Sequence, residues 1–146
     1  MKIKLRSKRL ARLFAEVWER LPEADQALLS HKTKLVVDNP IFLPKENLRH
    51  IRVWATVIVI GVRKSIAILY LNPQKLPRQS DDFIKYVIAH ELGHVFCGHI
   101  DELFSSASDD LTREAFESEA DERASTWGLP LVPSTRPPKP SRSFWK

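Results

Sequence analysis

The chain of 146 residues has a single cysteine, Cys97, so it cannot form an internal disulfide and secretion gains no support. Apolar runs such as Val57-Ile58-Val59-Ile60 are strand-sized, far short of a membrane span. Residues 1–6 are basic but lack the apolar core of a secretory signal. There is no internal repeat, and the length leaves no room for a second independent domain. Past Leu129 there is no acid at all. Pro130, Pro133, Pro137, Pro138 and Pro140 exclude a helix or a central strand there. From these absences the expectation is a cytoplasmic protein with one domain over residues 1–130 and an extended or mobile basic tail over 131–146, with Phe144 and Trp145 near its end.

Within that frame one pentapeptide dominates. Residues 90–94 read His90-Glu91-Leu92-Gly93-His94 and continue a helical run that starts at Asp81. Histidines four apart on a helix project from one face, so their imidazoles can converge on one zinc ion. Glu91 then stands where it can take a proton from a water on the metal. Phe83, Ile84, Val87, Ile88, Leu92, Val95 and Phe96 give this helix a broad apolar face that predicts burial. Ser80 suits its N-cap, Asp81 and Asp82 suit its positive end, and Gly98 suits its stop. A purely structural helix with hydrogen-bonded histidines is the weaker alternative.

Catalytic zinc takes three protein ligands and keeps one position open. His99 is the nearest candidate, but the long metzincin spacing needs glycine at position 97 and histidine at position 100. The chain has Cys97 and Ile100 there. A helical His99 also points away from the His90/His94 face. A second predicted helix, over residues 109–127 and closed by Gly128, offers carboxylates instead. Glu117 and Asp121 are four apart and share a face. The preferred assignment is Glu117 as ligand, with Asp121 accepting the free N–H of a ligating histidine. Glu114 and Glu119 compete for the ligand role. Cys97, close to the same face, reads as a small core residue more readily than as an inhibitory thiolate.

These residues carry a resemblance. The sequence His90-Glu91-Leu92-Gly93-His94, then Glu117-Ser118-Glu119-Ala120-Asp121-Glu122-Arg123-Ala124, then Gly128-Leu129-Pro130, resembles the ImmA/IrrE-type metallopeptidases, and more broadly the minimal gluzincins. The likeness covers roughly residues 50–130. It implies zinc bound by His90, His94 and Glu117, with Glu91 as the catalytic acid and base and Asp121 behind a histidine. It also implies a protein substrate inside the cell, such as a repressor-type regulator. Substrate would bind by strand addition beside the metal, with residues 65–71 as the edge strand. Arg123 departs from the family's frequent phenylalanine at that position.

The rest of the chain reads in outline. Leu5, Leu10, Leu13, Phe14, Val17, Trp18 and Leu21 recur at helical spacing, and Pro22 opens a short second helix. Residues 34–37 form a short strand, and residues 53–60 and 65–71 form a hairpin. The expected fold is α+β: a single zincin-like domain whose small, mostly antiparallel sheet packs on the histidine-bearing helix and on the second ligand-bearing helix. Charge is zoned. Bases prevail in residues 1–20 and in the tail, whereas residues 72–129 hold twelve acids against five bases. The acidic middle suits a cationic substrate or one of the chain's own basic ends, while the basic ends suit nucleic acid, an anionic membrane, or plain solvation. The expected function is a zinc-dependent endopeptidase. The alternative is a zinc-stabilised interaction module without catalysis. Tyr70, Tyr86, His50 and Arg123 are candidates to steady the oxyanion.

Overall fold

Capping chemistry divides the chain into its elements. The computed structural model describes residues 1–42, 53–60, 66–98 and 110–129. Within them the order is β1 (Lys2–Lys4), α1 (Lys8–Glu19), α2 (Glu23–Lys32), β2 (Thr33–Val37), β3 (Ala55–Ile60), β4 (Ile66–Leu71), α3 (Asp81–Phe96) and α4 (Asp110–Thr126). Short 3-10 turns occupy Pro40–Phe42 and Leu76–Arg78. The Ser7 hydroxyl caps α1 by accepting from the Leu10 N–H at 3.2 Å. Leu10, Leu13, Phe14 and Val17 line its buried stripe.

The N-terminal segment departs from the helical reading before Ser7. Asp38, buried at the end of β2, accepts from the N–H groups of Arg6 at 3.0 Å and Ser7 at 2.9 Å. That carboxylate turns the chain into α1 and leaves Lys2–Lys4 free to pair with β2 as a strand. Three exposed residues, two of them lysines, carry almost no strand signal.

The strands form one sheet in the order β1-β2-β4-β3. β1 runs parallel to β2, β2 runs parallel to β4, and β3 and β4 form the antiparallel hairpin, with Ala55 opposite Leu71 and Ile60 opposite Ile66. The α+β class stands, but the sheet is mixed rather than mostly antiparallel. Helices α1 and α2 separate β1 from β2, and a crossover of that length permits parallel pairing. β4 is also an interior strand, flanked by β2 and β3. The expectation that residues 65–71 form the edge is therefore corrected: among the described residues, β3 and β1 are the edges.

Alternation along the strands gives the sheet two unlike faces. Val36, Ala55, Val57, Ala67, Leu69 and Leu71 join the main core with α1, α3 and α4. Val37, Ile58, Ile68 and Tyr70 form a separate buried cluster on the other face. α3 packs against α1, α2, α4 and the β3–β4 hairpin, and is buried on all sides from Tyr86 to Val95. Each large side chain buried there contributes about 1.5–3 kcal/mol. Arg9 fastens α1 to the start of α3 through Asp81, Pro77 O and Gln79 O, and Arg12 reaches the same carboxylate. Part of the N-terminal basic charge is thus used inside the fold. Among the described residues, no helix is long and apolar enough to cross a membrane.

Candidate metal centre

Local sequence sets the site's frame. Ser80 Oγ accepts from the Phe83 N–H at 3.2 Å, with Asp81 and Asp82 in the first turn of α3. The helix stops where Gly98 takes φ +74°, a left-handed conformation that suits glycine. One turn apart on α3, the Nε2 atoms of His90 and His94 lie 3.1 Å from each other. Glu117 from α4 meets both. One of its oxygens is 2.8 Å from His90 Nε2, and the other is 3.2 Å from His94 Nε2. Among the described residues, these three side chains are the group able to hold a metal ion, with their ligand atoms all within 4.8 Å of one another.

Behind the cluster, His90 Nδ1 lies 2.8 Å from Asp121 Oδ1, and the Tyr86 hydroxyl donates to that same oxygen at 2.7 Å. A carboxylate there fixes a proton on Nδ1, so that Nε2, which points toward Glu117 and His94, is the nitrogen that would be left to bind a metal. Asp121 therefore sits where the sequence reading put it.

What lets α4 come so close is Gly93, inside the pentapeptide. A Cβ at Gly93 would lie 2.7 Å from Ala120 O and 3.1 Å from Ala120 Cα, so the helices meet main chain to main chain. Ala120 and Ala124 keep α4's buried stripe thin. Glu117 and Asp121 flank Ala120 in sequence, and the close crossing carries both to His90. The sequence reading missed this role. Its signal was a glycine inside an otherwise uninterrupted apolar helix, which usually has a packing reason.

Electrostatically the pocket seeks positive charge. Burial alone would lower the His90 pKa, but the hydrogen bonds to Asp121 and Glu117, with the charges of Glu117 and Glu91, push it up to about 10. Burial works to raise Glu117, yet the hydrogen bonds from His90 and His94 hold it well below the usual carboxylate range. Glu91 is pushed up to about 8, first by burial and then by Glu117, against the opposing charge of His90. Its Oε2 is buried with no hydrogen-bond partner among the described residues. An acid so placed violates the rule that buried polar groups are satisfied, and it calls for a chemical use.

The other candidates fall elsewhere. Glu114 and Glu119 are exposed on α4, outside the ligand group. Cys97 is half-buried at the end of α3, also outside that group. Burial and Glu119 push its thiol pKa up, against Arg123 and Lys32. Tyr70 lies on the far face of the sheet, and the Arg123 guanidinium stacks 4.1 Å above the Phe96 ring. Tyr86 is engaged with Asp121. His50, His99 and the tail lie outside the described residues.

No curated protein and no solved structure matches the chain. A family model does: that of the IrrE N-terminal-like domain, a peptidase family (Peptidase_M78), matches residues 36–131. The match runs from the end of β2 past α4 and takes in every residue of the metal cluster. With two histidines, a distant glutamate and a buried carboxyl in one pocket, the chain belongs to the IrrE N-terminal-like peptidase family.

Proposed function

We propose that the chain is a zinc-dependent endopeptidase that hydrolyses peptide bonds of an intracellular protein. The observation that carries this reading is the convergence of His90, His94 and Glu117 beside buried Glu91, whose Oε2 has no hydrogen-bond partner among the described residues. Two imidazoles and one carboxylate fit zinc, and three such ligands among the described residues suit a catalytic site. When bound, the metal supplies Lewis acidity, polarising the scissile carbonyl and making water more acidic.

The chain's own residues do the rest. Glu91 accepts a proton from the attacking water and returns it to the leaving amine. Burial raises its pKa to about 8 in the metal-free protein, and a bound cation would draw it back down toward neutrality, the range that suits a group which must both take and give a proton. Asp121 keeps His90 in the tautomer whose Nε2 faces the metal position. β3, paired only with β4 among the described residues, offers its other side for an extended peptide to pair with. Trp54, just ahead of β3, packs edge-on against Phe83 at 5.2 Å between ring centroids, which ties that strand to α3. A cytoplasmic setting is part of this reading, consistent with a single cysteine, and family resemblance points to a regulator of the repressor type as substrate. A non-catalytic zinc module has no use for a buried, unsatisfied acid at position 91.

The test pairs metal analysis with a proteome-wide cleavage screen of wild type against Glu91→Gln. Wild type should hold one zinc per chain and cut a defined set of peptides, while Glu91→Gln keeps the zinc and cuts none. A wild type that takes up no zinc, or equal cleavage by both proteins, overturns the reading.

A further inference from the structure

The Tyr86 hydroxyl is not needed for packing. Tyr86 lies in a row of rings along one side of α3: Phe83, Tyr86, His90 and His94, with neighbouring centroids 6.4, 5.8 and 4.7 Å apart. A phenylalanine would extend that row equally well. Tyr86 is instead 3 % exposed, with its oxygen buried, and it donates to Asp121 Oδ1 at 2.7 Å, a length proper to a hydroxyl bonded to a carboxylate. The same oxygen serves His90 Nδ1 at 2.8 Å. Tyr86 and His90 are four apart on α3, and Asp121 from α4 spans both.

We propose that Tyr86 is a positioning residue for the metal centre, acting through Asp121 on His90. This rests on the metal reading given above. A carboxylate is free to swing about its terminal torsion, and either oxygen can approach an imidazole. Two donors converging on one oxygen remove that freedom. The hydroxyl holds Oδ1 against His90 Nδ1, which fixes the ring's tilt and presents Nε2 toward His94 and Glu117.

The experiment measures Zn2+ affinity by chelator competition at one fixed pH for wild type, Tyr86→Phe, Asp121→Asn and the double variant. Visible spectra of the Co2+-loaded proteins accompany it. Tyr86→Phe removes one oxygen and keeps the ring, and circular dichroism of the metal-free protein checks its fold. The expected result is a loss of about tenfold in Zn2+ affinity in the wild-type background, with altered Co2+ bands. In the Asp121→Asn background the same substitution should change affinity less than about twofold, because the relay is already cut. Unchanged affinity and spectrum in Tyr86→Phe, or an equal loss in both backgrounds, overturns the positioning role while leaving the metal reading intact. A wild type that binds neither Zn2+ nor Co2+ overturns the metal reading, and the positioning role falls with it.

Discussion

The two ends of α3 use charge in opposite ways. At its N-terminus Asp81 meets Arg9 at 2.8 Å and Arg12 at 3.3 Å on the surface, where Asp81, Arg9 and Arg12 are 45 %, 35 % and 55 % exposed. Near its C-terminus His90 meets Glu117 and Asp121 at the same distance, 2.8 Å, with His90 and Asp121 almost wholly enclosed. Equal separations conceal unequal energetics. Water screens the first group, and its contribution to stability is small. The second has lost its water, so each charge there must be matched or it opposes folding. The surface end serves as a fastener, whereas the interior end is a site whose cost is offset by a function.

That contrast can be broken at several points. The largest effect is expected at Glu91. Glu91→Gln should lower peptide hydrolysis by at least 10²- to 10⁴-fold at unchanged zinc content, read by a cleavage assay alongside metal analysis. Next come the ligands: His94→Ala or Glu117→Ala should abolish stoichiometric zinc at micromolar metal, and with it all cleavage.

Third is Gly93→Ala. The new methyl collides with Ala120 O and forces α3 and α4 apart, which should cost about 1–3 kcal/mol in denaturant unfolding. It should also weaken metal binding although no ligand has changed. If zinc affinity is untouched, the close crossing does not set the site.

Fourth is a pH dependence of the metal-free protein. Glu91 has a folded pKa of about 8 against an ordinary value of 4.5, so between these values the unfolded chain is ionised while the folded one holds the proton. Folding then takes up a proton, and this residue's contribution to stability falls as pH rises from 4.5 to 8. The stability of metal-free Glu91→Gln relative to metal-free wild type should therefore grow across that window and level off above it, as read by urea unfolding at several pH values. The smallest effect is expected at the surface end. Asp81→Asn should move the melting temperature by no more than about 2 °C, and added salt should erase even that.

Legibility in the sequence followed the range of the physics. Short-range rules were readable. Ser80 caps α3, Gly98 ends it, and the spacing of His90 and His94 puts both on one face. The link to α4 was readable because Glu117 and Asp121 are themselves a four-residue pair. The structure separates Glu117 from Glu114 and Glu119 by which side of α4 faces α3. Long-range facts were not readable. Nothing local in Lys2–Lys4 says that a strand will pair with β2 across two helices, or that Asp38 will clamp the turn at Arg6 and Ser7. The hairpin was plain from its β-rich runs, but which of its strands lies outermost depends on where β2 docks. Tyr86 fits the packing pattern equally well as a phenylalanine, so its hydroxyl acquires meaning only once Asp121 is beside it.

The crossing at Gly93 has a wider consequence. Because a carbonyl of one helix occupies the volume where the other lacks a side chain, the gap between the ligand-bearing helices is gauged by main-chain atoms rather than by replaceable groups. On the proposed function, amino-acid changes along β3 would then retune which peptides dock without resetting the spacing at the metal centre. Under that proposal, preference for one target protein or another would drift while the chemistry stays put.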